Sequence, residues 1–376
     1  MKRKKTALFL ALCLSLGTLT GCSTEEMKNY KQAEQDLQDG NFQNALQEYE
    51  IAVTAGVKLA QSYRGAGVAN LHLGNPAEAI EDFDHALDCE KVGKDLEKDI
   101  LSYRAAAYLE LKDYDAALAD CQTLEENHKL DADLCFLFGK VTLAMDSYEQ
   151  ASSYFEQAYE DDATYDMAIH IYAAYLAKDM EADGTRYLEA ALSGEAKNAQ
   201  DHCDRGRVYY YMDDYENAAN ELKQAIEGEN TEALVLLGMV YLEQEDTTNA
   251  RTMFQQYVSQ VENNAKGYNG LALCDIEDKN YDAALSDINN GLSAADDQEL
   301  QSLLFNEIVV YEKKLDFVTA CQKAEEYMQM YPEDTTAKKE LAFLRTRVNS
   351  SVSNASDTAA EAAVSADGSA DNVQVQ

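Results

Sequence analysis

Three stretches of the chain hold the residue types that chemistry uses. His85 and Cys89 stand one helical turn apart, with Asp84 and Asp88 beside them, a spacing that suits a shared metal ion. One such pair supplies too few ligands for a closed site, and Ala86 between them belongs to a repeating pattern. Asp201-His202-Cys203-Asp204 gathers acid, base and nucleophile in consecutive positions, which on a helix point in different directions and cannot converge on one atom. Gly65-Ala66-Gly67 has the glycines of a phosphate loop, but no strand pattern precedes it. The motifs G-x-x-x-x-G-K-S/T, H-E-x-x-H, G-x-S-x-G and paired C-x-x-C are absent. These residues point to no enzyme, no cofactor and no metal site. Cations beside aromatics are what remains: Lys140 near Phe136 and Arg207 near Tyr210. Such a group can hold an anionic or carboxylate-bearing ligand while the ring supplies apolar contact. Simple pairing of Arg207 with neighbouring acids is the alternative.

The elements that carry these residues are helical by composition. The 376 residues include 46% hydrophobic ones, only 2 prolines and no tryptophan, and Ala, Leu, Glu, Gln and Asp dominate. With 31 basic against 69 acidic residues the net charge is −38, which excludes nucleic acid as a natural partner because phosphate binding needs clustered Lys and Arg. An acidic surface of this kind gives solubility and attraction to cations or basic partners.

The N-terminus reads as an address. Lys2, Arg3, Lys4 and Lys5 precede a mostly apolar run from Thr6 to Thr20. Leu19-Thr20-Gly21-Cys22 then resembles the lipobox of bacterial lipoproteins. That resemblance implies cleavage after residue 21, lipidation of Cys22 and an extracytoplasmic, membrane-anchored location. Further along, no stretch is apolar and long enough to span a bilayer.

From residue 28 the chain repeats itself. A small residue recurs at Ala45, Ala79, Ala117, Ala151, Gly184, Ala218, Ala250, Ala284 and Ala320, at intervals of 34, 38, 34, 33, 34, 32, 34 and 36. Its partner, always 12 residues earlier, is Ala33, Gly67, Ala105, Gly139, Tyr172, Gly206, Gly238, Ala272 or Ile308. Four residues after the small position comes a larger apolar group in most copies, such as Phe83, Phe155, Leu222 and Phe254. The stretch GRVYYYMDDYENAANELKQA from Gly206 to Ala225 states the rule: two helices crossing closely at Gly206 and Ala218, joined by a turn at Asp213-Asp214. Comparable turns are Asp39-Gly40-Asn41, Gly74-Asn75-Pro76 and Lys112-Asp113.

GVANLHLGNPAEAIEDFDHAL, AAAYLELKDYDAALADCQTL, GKVTLAMDSYEQASSYFEQAY and GMVYLEQEDTTNARTMFQQYV resemble the tetratricopeptide repeat. The likeness implies an all-α fold, a right-handed α-solenoid of about nine helical hairpins followed by a capping helix. Tyr172, Ile308, Tyr257 and Tyr327 depart from the pattern by being large. The extra residues of the longest interval fall in Cys89 to Lys98, read as a lengthened connection.

The expected organisation is a cleaved leader over 1–21, a lipidated tether over 22–27, the solenoid over 28–333, a capping helix over 334–349 and a disordered acidic tail over 350–376. Cys89, Cys121, Cys135, Cys203, Cys274 and Cys321 read as unpaired and structural, Cys121–Cys135 being the most plausible bridge if one forms. In this family the first helices line a concave groove that binds extended peptides or partner helices. Counting from the packing positions places Arg64, Val68, Leu71, Phe136, Lys140, Leu143, Ile169, Cys203, Arg207, Tyr210, Met239 and Asn269 toward it. Arg64, Phe136, Lys140, Arg207, Tyr210, Met239 and Asn269 are the candidates for partner contact. The expected function is a membrane-anchored scaffold or adaptor for a protein or peptide partner at the cell envelope. An accessory lipoprotein binding peptides, glycans or wall fragments is the alternative.

Overall fold

The computed structural model describes residues 27–348, except 263, 296 and 333 and the side chains of 297 and 298. The leader, Cys22 and the tail over 350–376 lie outside the described residues. Among the described residues there are nineteen helices and no strand. They pair as successive hairpins: α1 (27–38) with α2 (Phe42–Thr54), α3 (Leu59–His72) with α4 (Pro76–Leu87), and α5 (Lys94–Glu110) with α6 (Tyr114–Asn127). Next come α7 (Ala132–Ala144) with α8 (Tyr148–Asp161), α9 (Tyr165–Leu176) with α10 (Glu181–Ala191), and α11 (Ala199–Tyr211) with α12 (Tyr215–Glu227). The last three are α13 (Glu232–Glu243) with α14 (Thr247–Gln260), α15 (Ala265–Glu277) with α16 (Tyr281–Leu292), and α17 (Asp297–Lys313) with α18 (Phe317–Met330). A final helix, α19 (335–348), follows them. The chain divides into two compact units, Met1–Gln260 with α1 to α14 and Val261–Gln376 with α15 to α19. It is an all-helical repeat solenoid of nine hairpins with a terminal helix, as the periodicity predicts.

Each hairpin turns on one residue in the left-handed region: Gly40, Gly74, Lys112, Asp146, Asp179, Asp213, Glu245, Lys279 and Leu315, with φ between 55° and 78°. The following amide then reaches back into the helix just ended. Asn41 N donates to Asp36 O at 2.8 Å and Asn280 N to Asp275 O at 2.7 Å, which satisfies carbonyls the helix end would leave open. Most of these residues have a side chain, so the conformation costs roughly 1 kcal/mol at each. A cap on the second helix offsets much of it. Asp113, Asp214 and Asp316 accept from the backbone amides of Ala116, Asn217 and Thr319.

Size complementarity holds each pair together. A Cβ added to Gly67 would lie 2.5 Å from the Phe83 ring, one on Gly139 2.5 Å from Phe155, and one on Gly206 2.5 Å from Leu222 Cγ. The large residue of the second helix therefore sits over a missing side chain on the first. Hairpin five reverses the roles: Tyr172 occupies the small position, and Gly184 opposite it would place a Cβ 2.9 Å from the Tyr172 Cα. In hairpin nine Ile308 is large, and Ala320 and Ala324 facing it from α18 are small and fully buried. Tyr327, another departure, donates its hydroxyl to Asp334 at 2.6 Å. Asp334 in turn accepts from the amides of Thr336 and Ala337 at 2.9 Å, so the oversized residue fixes the start of α19.

One expectation needs correction. Cys89 to Lys98 is not wholly a connection, because α5 begins at Lys94 and runs for 17 residues against 14, 13 and 12 in α3, α7 and α9. Asp95 and Glu97 in its first turn favour helix there by opposing the positive end of the backbone dipole. Val92 and Leu96 pack on the core of hairpin two. Among the described residues none of the six cysteines of the repeats forms a disulfide, Cys121 and Cys135 included. Burial pushes the Cys121 and Cys203 thiols up to about 12 and Cys135 to about 11, as expected of small core hydrophobes.

Candidate partner-binding cleft

The lengthened start of α5 forms one wall of a cleft of about 670 Å³, and α7 forms the other. Tyr103, Ala106, Leu134, Phe136 and Leu137 supply its apolar surface. Phe136 rests on the buried core ring of Phe155, 5.8 Å between centroids, and on His170 of α9 at 5.8 Å. Its position is thus set by packing on both sides.

The charges around the cleft differ in how far they are committed. Arg64 of α3 meets Asp99 at 2.5 Å and stands 5.0 Å from the Tyr103 ring. Lys98 pairs with Asp131 at the start of α7. Both cations are spent on bracing adjacent first helices. Lys140 is different. Its ammonium lies 5.7 Å from the Phe136 centroid and forms no ion pair or hydrogen bond among the described residues. Burial pulls its pKa down, and the charge of Glu110 acts in the opposite sense. Glu110 is itself pushed up by burial, with Lys140 opposing.

The other expected groove residues lie elsewhere. Arg207 reaches Asp166 of α9 and meets Asp204 at 3.0 Å, so the guanidinium links α11 to α9 and is already occupied. Its Nε is buried without a partner. Tyr210 donates to Glu243 of α13 at 3.2 Å and packs among Tyr211 and Tyr215. Met239 is half-buried on α13. Asn269, in the second compact unit, accepts from Asn306 at 2.7 Å. Hence, of these candidates, only Phe136 and Lys140 line the cleft, with Arg64 braced against its wall residues Asp99 and Tyr103. Val68, Leu143, Ile169 and Cys203 are core rather than groove, with exposures of 2–7%. Neighbouring first helices pack closely enough to cover them.

The clusters with apparent chemistry come apart in the same way. His202 faces Glu221 on α12 with Nδ1 2.6 Å from its carboxylate, the Asp201 carboxylate accepts from the side-chain amide of Asn198 at the helix start, and Asp204 accompanies Arg207. Cys89 donates its thiol to the carbonyl of His85 at 3.2 Å, while the His85 ring lies 5.1 Å from Tyr63. Among the described residues no three His, Cys, Asp or Glu side chains group as metal ligands, and no helix is long and apolar enough to cross a membrane.

Residues 30–93, 203–265 and 235–299 match the tetratricopeptide repeat family model. Those stretches are similar to tetratricopeptide repeats. The matched ranges cover most of hairpins one and six and all of two, seven and eight, and the unmatched copies between them use the same packing positions. Among solved structures, a tetratricopeptide repeat protein from Parabacteroides merdae is 18% identical, with 67% of this chain and 99% of that one covered and a TM-score of 0.40. Yeast Tom70 is 13% identical over 87% of this chain and 89% of that one, TM-score 0.39. YrrB, described as a TPR protein with an unusual peptide-binding site, is 19% identical over 58% and 95%, TM-score 0.33. No curated protein matches the chain. Tetratricopeptide repeats generally serve as scaffolds for protein–protein interaction. Tyr103, Ala106, Asp99 and Glu110 were not among the residues expected from sequence. The signal for them was the 38-residue interval, the one place where the repeat lengthens most.

Proposed function

We propose that this chain is a membrane-anchored scaffold that holds an extended segment of a protein partner in the cleft between α5 and α7. Lys140 carries the proposal, as a half-buried cation on an aromatic ring that forms no ion pair or hydrogen bond among the described residues, Glu110 acting on it only through its charge. Elsewhere along the first helices Arg64, Lys98 and Arg207 are engaged by carboxylates and act as braces. Tethering through a lipid on Cys22, at the outer face of a bacterial membrane, follows from the lipobox-like Leu19-Thr20-Gly21-Cys22 and the basic and apolar leader before it. The anchored chain then works as an adaptor that gathers a partner at the envelope.

Ala106→Trp tests the cleft directly, since it fills the space from α5 without removing a core contact. Partner capture from native envelope extracts is expected to fall at least about tenfold, a loss of roughly 1.4 kcal/mol, with helical content unchanged. Equal capture by the filled cleft would remove it as the binding site.

A further inference from the structure

We infer that the cleft between α5 and α7 selects a basic extended segment carrying one internal Asp or Glu side chain, whose carboxylate meets Lys140. The inference rests on the cleft being the partner site. Among the described residues three charged groups around it form no ion pair or hydrogen bond: Lys140 inside, on which Glu110 acts only through its charge, and Asp95 and Asp133 at the first turns of α5 and α7. The remaining charges are neutralised in place, Arg64 by Asp99 and Lys98 by Asp131. A ligand that complements this arrangement presents an anion to the interior and cations to the rim. The chain's net charge of −38 draws a basic segment toward it, and Lys140 then sets its register, because an acid elsewhere in that segment meets the unpaired Asp95 and Asp133 or cations already paired with carboxylates. Phe136 and Tyr103 add the apolar contact that an extended chain gains from its alternate side chains.

The carboxylate is assigned to a side chain rather than a chain end. Arg64 of α3 reaches one wall and His170 of α9 packs on the Phe136 ring of the other, so the cleft lies within the row of first helices, flanked by one on either side. A segment passing through it offers side chains. A chain end would leave one of these directions unfilled.

The test is selection of random displayed peptides on the immobilised full chain, on Lys140→Gln and on Ala106→Trp. Peptides that need the open cleft are those enriched on the native chain and lost on Ala106→Trp. These are expected to carry one acidic residue flanked by Lys or Arg. On Lys140→Gln the acidic preference disappears and the leading peptide, made synthetically, binds about tenfold more weakly, while its binding to the native chain is unchanged by C-terminal amidation. Lys140 forms no ion pair or hydrogen bond among the described residues, so Lys140→Gln is expected to fold, with helical content unchanged. Cleft-dependent peptides without an acidic position, an unchanged preference on Lys140→Gln, or loss on amidation would overturn the inference and leave the cleft reading standing. Peptides that bind Ala106→Trp as well as the native chain would overturn both.

Discussion

Asp82 shows what a single buried charge does to a repeat. It lies half-buried on α4 and accepts from Asn70 of α3 at 2.9 Å. Burial pushes its carboxyl up to about 6, outweighing that hydrogen bond. The folded chain therefore binds this proton more tightly than the unfolded chain, whose carboxyl titrates near 4. Stability from Asp82 is greatest at low pH and is lost as pH rises through about 6. Asp82→Asn keeps an acceptor for Asn70 and removes the titration. Thermal unfolding at pH 5 and pH 7 is expected to show a gain for the variant at pH 7, on the order of 1 kcal/mol, that shrinks at pH 5. An equal gain at both would contradict the burial argument. At this scale the sequence was only partly legible. Lys140 and Arg207 looked alike, each a cation near a ring, because adjacency along one helix is readable. The acid that occupies Arg207 is Asp166, on a helix two elements earlier, and only the packing register brings it there.

At the scale of the hairpin, most of the fold could be read in advance. Small residues 12 apart mark where two helices touch, and no other arrangement buries both stripes. What stayed hidden was compensation, since Tyr172 is alarming alone and ordinary beside Gly184. Size is conserved by the pair and not by either position. Gly206→Ala should thus cost about 1–3 kcal/mol, because its Cβ falls 2.5 Å from Leu222 Cγ. Leu222→Ala alone should cost about 2–5 kcal/mol through the cavity it leaves. Together they should cost less than the sum by at least about 0.5 kcal/mol, as measured by denaturant unfolding in a double-mutant cycle. Strict additivity would mean the two residues do not share the space. The start of α5 was missed for a different reason. A run rich in charge reads as loop, and its helix depends on acids placed at the helix start and on Val92 and Leu96 finding the core of hairpin two.

For the whole molecule, the proposed lipid anchor on Cys22 and the proposed binding cleft belong to a strongly acidic chain. Cys22→Ala should move the protein from the membrane pellet to the soluble fraction on cell fractionation, and retention in the pellet would contradict lipid anchoring. The acidic surface keeps such an array soluble and biases it toward basic partners. The proposed partner site lies between α5 and α7. A photo-crosslinking residue placed at Ala106 in living cells, compared with one at the exposed Gln157 of α8, tests it most directly. The predicted result is a dominant protein adduct from position 106 that is absent from position 157. Adducts of the same protein in equal yield from both positions, or from position 157 alone, would contradict the account.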